Sequence, residues 1–297
     1  MSQDEALYFS RLPHGAREWT PPRVLFDNAN VAEGNPVLML DARQVLWCFY
    51  VNVEGNAWEF AKLVCRQSRD FGVTWGEERA LPVPERPYLT GTMTSMKPIT
   101  LSNGDLLLPL NGESYDPDPR YGWFSWFLIS SDGGATWKPT EPLLSTPGNI
   151  QPTVQEMADG SLLAFFRPRG QNSKLLRSTS LDGGRTWTPL APTELPNPSS
   201  RSDFVRLPSG ALVLACNISP NRRTPFSLVL SKDNGLTWPI QKNLETGPGM
   251  YGYCSIIRAR DGRIHVAYDV DRRSIKHVVV DEAWFDEPAQ NLNTHEK

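Results

Sequence analysis

Much that would point to a cofactor or a membrane is missing from this sequence. Its four cysteines (Cys48, Cys65, Cys216 and Cys254) show no C-x-x-C spacing. A chain of 297 residues needs no covalent staples, so reduced, buried thiols are expected. The histidines His14, His265, His277 and His295 lie far apart, without metal-site spacing, and no metal or organic cofactor is expected. No stretch approaches the roughly 18 uninterrupted apolar residues of a spanning helix. The opening MSQDEALYFSRLPHG has neither a basic nor an apolar leader region, so a cytoplasmic address is expected. A charge surplus is also absent. With 30 basic and 33 acidic side chains the net charge is −3, which argues against nucleic acid or an anionic membrane as a partner. The segment from Gly247 to Gly252 fits G-x-G-x-x-G formally, but a strand pattern follows it rather than a helix, so no dinucleotide site is read there.

What the chain does have is 22 Gly, 26 Pro and 10 Trp. Prolines and glycines at that density interrupt helices repeatedly, so the apolar residues must be spent on short strands. The fold class is therefore all-β.

An internal repeat gives the architecture. The pattern S-x-D-x-G-x-T-W occurs at Ser68–Trp75, Ser130–Trp137, Ser180–Trp187 and Ser231–Trp238. Chemically this is a turn: the carboxylate accepts following backbone N–H groups, Gly supplies positive φ, and Trp covers the result. Degenerate copies end at Trp19 and Trp284, so successive tryptophans are spaced by 46 to 62 residues. Between them recur an apolar strand, a turn such as Asn103-Gly104 or Asp159-Gly160, a strongly apolar strand, a variable loop and a third strand. A short fourth strand fits after each Trp. Four strands per repeat of this length is the signature of β-propeller blades.

These turns are Asp boxes, and the chain resembles the sialidase (neuraminidase) superfamily, most closely the bacterial BNR-repeat sialidase-like proteins. The resemblance implies a six-bladed β-propeller of the sialidase type over residues 1–288, with the first blade incomplete and a flexible tail over 289–297. It also implies that self-association is one way to complete that blade. The Asp-box carboxylates are expected to be structural.

Residues just before the innermost strands should share a pocket at one mouth of the channel. Aligning the repeats selects Asn35, Lys97, Gln151, Asp203 and Tyr253. By the resemblance, Tyr253 is the nucleophile, a choice that avoids repulsion between a carboxylate nucleophile and the substrate's own carboxylate. Arg167 and Arg223 match two of three arginines that grip that carboxylate, as planar forks on a planar anion. The family's glutamate position falls on Gln151, which cannot take a proton, and its acid/base aspartate has no counterpart. Asp203 and Glu113 are substitutes, while the loop carboxylates Asp116 and Asp118 read more simply as solvated or salt-bridged. Tyr115, Tyr121 and Trp123 are aromatics available to stack on a sugar, or else ordinary rim packing.

Three readings stay open. One is a sialidase-like hydrolase acting on a terminal acidic sugar, using Tyr253, Asp203 and Gln151 with Arg167, Arg223, Lys97, Asn35 and Glu113 around the substrate. The second is a non-catalytic carbohydrate-binding propeller. The third is a lyase on uronic-acid glycans, with Lys97 or Tyr253 as base. Each takes an acidic glycan as partner.

Overall fold

The structure, a computed structural model, describes residues 5–54, 60–83, 89–114 and 118–287. The expected tail over 289–297, and Tyr115 and Asp116, lie outside the described residues. The chain is all-β, and its helical elements are short 3₁₀ turns such as Pro119–Tyr121 and Ala283–Phe285.

A hairpin of β1 (Leu7–Phe9) and β2 (Arg23–Phe26) comes first. The first blade is β3 (Ala32–Leu40), β4 (Leu46–Val53), β5 (Ala61–Ser68) and β6 (Arg79–Ala80). In the second, β7 (Leu89–Thr94) and β8 (Ile99–Thr100) share the inner edge of β9 (Leu106–Ser114), followed by β10 (Trp123–Ser130) and β11 (Lys138–Pro139). The third is β12 (Asn149–Glu156), β13 (Leu162–Pro168), β14 (Ser173–Ser180) and β15 (Ala191–Asn197). The fourth is β16 (Asp203–Arg206), β17 (Leu212–Asn217), β18 (Phe226–Ser231) and β19 (Ile240–Glu245). The fifth has three strands: β20 (Tyr251–Arg258), β21 (Ile264–Val270) and β22 (Ser274–Val280). The described residues thus form a five-bladed propeller plus a hairpin, where the sequence reading expected six blades.

All strand pairs within the blades are antiparallel, and the second strands of the first, third and fourth blades are buried on both faces because neighbouring blades cover both, whereas β21 of the fifth alternates buried and half-buried residues. In β13, Leu162 to Phe166 are all buried.

The Asp boxes form as their chemistry demands. Asp70 accepts from the backbone N–H of Val73 (3.1 Å) and Thr74 (2.9 Å) and from the Thr74 hydroxyl (2.6 Å), while Ser68 Oγ accepts from Gly72 N–H. Asp132, Asp182 and Asp233 repeat the arrangement. These bonds, the Thr hydroxyl foremost, hold the Asp70 and Asp233 carboxyls down to about 2. All four sit at the rim as structural turns.

The box tryptophans lock each blade to the one before it. Trp137 packs edge-on against Trp47 and Phe49 of the first blade, Trp187 stacks on Phe127 of the second at 4.7 Å, and Trp238 meets Phe165 of the third at 5.8 Å. Trp75 of the first blade meets Phe26 of the hairpin at 5.5 Å. The hairpin therefore stands where a preceding blade would. On its other side Trp19 packs edge-on against His277 of the fifth blade, and Arg260 donates to Gln44 across the first and fifth blades. Cys48, Cys65, Cys216 and Cys254 are buried free thiols.

Candidate active site

The turn joining the first two strands of each blade holds one left-handed residue: Gln44, Gly104, Gly160, Gly210 or Gly262. Nine residues before each stand Asn35, Ser95, Gln151, Arg201 and Tyr253, one per blade. Asn35 (φ 51°), Gln151 (φ 55°) and Tyr253 (φ 46°) are left-handed, each at a break in strand register. A non-glycine residue in that region costs on the order of 1–3 kcal/mol, so three such breaks at matching points mark a built site.

A cavity of about 250 Å³ opens there, its lining including Asn35, Ser95, Glu113, Trp123, Gln151, Arg167 and Tyr253. Arg167 donates from Nη1 to Gln151 Oε1 (3.1 Å) and from Nε to Ser199 Oγ (3.2 Å), and its guanidinium lies 5.1 Å over the Trp123 ring. Trp123 thus sits beneath Arg167 and Arg169, in the pocket rather than at the rim. Arg223 lies 5.0 Å over the Tyr253 ring. It passes close over Gly252, where a Cβ would stand 3.0 Å from Arg223 Nη1.

Electrostatics follow from this packing. Burial alone would push the Tyr253 hydroxyl up, but Arg223 and Arg167, with Arg272 behind them, outweigh it and hold it below the usual tyrosine range. Burial pulls Arg167 down, as does Arg223, against the pull of Tyr253 and Glu113. Burial raises the Glu113 carboxyl, opposed by Arg169 and Arg167.

Two residues chosen from the sequence stand elsewhere. Lys97 and Asp203 are seven residues before their turn glycines, not nine, and so lie deeper in the channel. There Lys97 Nζ pairs directly with Asp203 and also donates to the Phe204 carbonyl. Asp203, fully buried, also accepts from Thr153 Oγ1 (2.6 Å) and from the backbone N–H of Phe204 and Ile256. A fully buried carboxylate that accepts from a lysine, a hydroxyl and two backbone N–H groups ties neighbouring blades together. Neither Asp203 nor Lys97 lines the cavity at the mouth, where the sequence reading places both. Ser95 and Arg201 hold the ring positions instead. Counting back from the turn glycine by a constant nine would have found them.

Radial Asp-box sheets around a channel whose mouth carries arginines and a tyrosine define an Asp-box β-propeller. The chain belongs to the BNR repeat-like domain family, whose pattern matches residues 2–266. It is 26% identical over 152 residues to a sialidase of Micromonospora viridifaciens, covering 48% of this chain and 23% of that protein. To a sialidase of Bacteroides fragilis it is 24% identical over 280 residues, covering 88% and 49%. The chain therefore spans less than half the length of either relative. Among solved structures, a Hadza microbial sialidase superposes with a TM-score of 0.79 at 19% identity, over 95% of this chain and 60% of the other. At that identity the likeness is one of fold.

Proposed function

We propose that the channel mouth binds a terminal sugar bearing a carboxylate, and that Tyr253 attacks its anomeric carbon in slow, sialidase-type hydrolysis. The observation that carries this reading is the placement of Arg167 and Arg223 about Tyr253. Two guanidinium forks suit a carboxylate, and the same charges favour the phenolate, the stronger nucleophile. Glu113 is the one carboxyl among the described residues lining the cavity. Raised by burial, it is the group to hand a proton to the leaving sugar oxygen. Turnover is slow in this reading because Gln151 offers no proton acceptor beside the tyrosine.

Gln151 also favours the second reading, a propeller that binds acidic sugars without cleaving them. The lyase reading loses its lysine base, since Lys97 is buried against Asp203. Hydrolysis of an activated aryl sialoside tests the choice. Slow release that disappears in Tyr253→Phe supports hydrolysis. Binding of the sugar acid without release supports the binder, and neither binding nor release would overturn both.

A further inference from the structure

We propose that the chain self-associates through the open edge of its fifth blade, with β22 pairing antiparallel to β22 of a second copy across a two-fold axis at His277. This goes beyond the acidic-sugar reading and does not depend on it.

The fifth blade ends in an edge of a kind the other blades avoid. Among the described residues it has three strands, and β22 is the outermost. Elsewhere the outermost strand is short or blunted: β6 and β11 are two residues long, and β15 carries Pro192 and Pro196. β19 is held to the turn at Ala283–Phe285, its Lys242 donating to the carbonyls of Trp284 and Glu287. β22, with the sequence SIKHVVV, is seven residues long, free of proline and rich in β-branched side chains. Every second residue of such an edge turns its N–H and C=O outward, ready to pair with another strand. One face is also uncovered. Ile275 is 82% exposed and Val279 37%, and Trp19, which packs edge-on against the intervening His277, is 49% exposed. The cation inside the strand, Lys276, is neutralised by Glu245 at 2.6 Å, so it is no free charge guarding the edge.

What identifies the occupant as a second copy is the charge pattern. Arg272 and Arg273 precede the strand, and Asp281 and Glu282 follow it. Reversed and centred on His277, this segment complements itself. Ile275 then stands opposite Val279 of the second copy, Arg273 opposite its Asp281, and Arg272 opposite its Glu282, with each contact made twice by the two-fold axis. Arg272, Arg273 and Asp281 are exposed, and Glu282 is half-buried beside Ser209. A parallel pairing in register would instead set arginine on arginine and carboxylate on carboxylate, which destabilises. A slip by one residue would carry Ile275 off Val279 and onto the other face. β22 begins beside the mouth, where Arg272 is within electrostatic reach of Tyr253, and runs away from it. The antiparallel pair therefore turns the two mouths to opposite sides.

Sedimentation velocity of the full chain over a concentration series, with melting temperatures alongside, tests this. The unmodified chain should form a concentration-dependent dimer. Ile275→Lys, at an exposed site, should weaken it at least about tenfold while the monomer melts as before. Arg273→Glu should weaken it about tenfold, and adding Asp281→Arg should recover the loss, because the swap restores both ion pairs. Asp281 also accepts from the Trp284 N–H, so a second measurement reads the register without touching it. The double variant Ile275→Cys/Val279→Cys should form disulfide-linked dimers on oxidation, whereas neither single variant should, since only the unlike positions face each other. A chain that stays monomeric up to about 1 mM would overturn the inference. A dimer indifferent to Ile275→Lys, or one in which Ile275→Cys alone cross-links, would place the contact on another face or in another register and overturn it as well. Open-ended polymers in place of a dimer would show a head-to-tail contact and overturn the two-fold pairing.

Discussion

Arg167 donates to the side-chain oxygen of Gln151 at 3.1 Å, so an amide stands where a carboxylate would form an ion pair with the arginine, in the cavity that Tyr253 also lines. Restoring that carboxylate is the sharpest test of what the site lacks. Gln151→Glu should raise kcat on an aryl sialoside at least tenfold, since a placed general base contributes roughly 10²–10⁴. A change confined to KM would show that residue 151 binds without taking part in proton transfer.

Tyr253 should ionise below the usual tyrosine value of about 10, because Arg223 and Arg167 outweigh its burial. Phenolate absorbance, followed against pH and corrected with Tyr253→Phe, should show one such early ionisation. It should move upward in Arg223→Met. The linkage sign follows: a depressed tyrosine adds stability that is complete above about pH 10 and is lost as pH falls through its folded pKa. An ionisation at or above the ordinary value would remove the electrostatic basis for a tyrosine nucleophile.

Blade-to-blade locking can be tested at two glycines of nearly equal φ. Gly134 (φ 86°) lies against the Trp47 ring, 2.2 Å from where a Cβ would stand, whereas Gly160 (φ 80°) has nothing within 4 Å. Gly160→Ala should bear only the left-handed backbone cost, about 1–2 kcal/mol, or a few degrees in Tm. Gly134→Ala should cost clearly more, because the Trp47–Trp137 contact must open as well. Equal melting temperatures for the two variants would show that this contact does not hold the blades together.

The blades and their boxes were legible because each turn is encoded locally: Ser, Asp, Gly and Thr bond to one another within eight residues. Asn35, Gln151, Arg167 and Tyr253 were legible for a related reason, the repeat register. The register failed where the repeats depart from one another. The second blade divides its inner edge between β7 and β8, and the fourth begins β16 only at Asp203. Lys97-Pro98 imitates Asn35-Pro36 and Gln151-Pro152 in sequence while sitting two residues deeper. Ser95 and Arg201 were missed because the repeats were aligned on their strand entries and not on a constant nine residues before the turn glycine. A sixth blade is not shown among the described residues, where only the β1–β2 hairpin precedes β3, because a sequence repeat records its turn and not how many strands precede it.

The last prediction concerns the pair that looked catalytic. Asp203 is fully buried and Lys97 nearly so, and they meet at the centre of the channel, where the second, third, fourth and fifth blades converge through Lys97, Thr153, Asp203 and Ile256. Breaking such a pair from one side leaves an uncompensated buried charge, at a cost of about 3–5 kcal/mol, while removing both charges together is often neutral. Asp203→Leu should therefore lower Tm by several degrees, Lys97→Met should do so less because Asp203 keeps its hydroxyl and amide donors, and the double variant should recover most of the loss. Any turnover should survive in the double variant, since neither side chain reaches the cavity. A double variant as stable as the unmodified chain but devoid of both sugar binding and turnover would return Asp203 and Lys97 to the site.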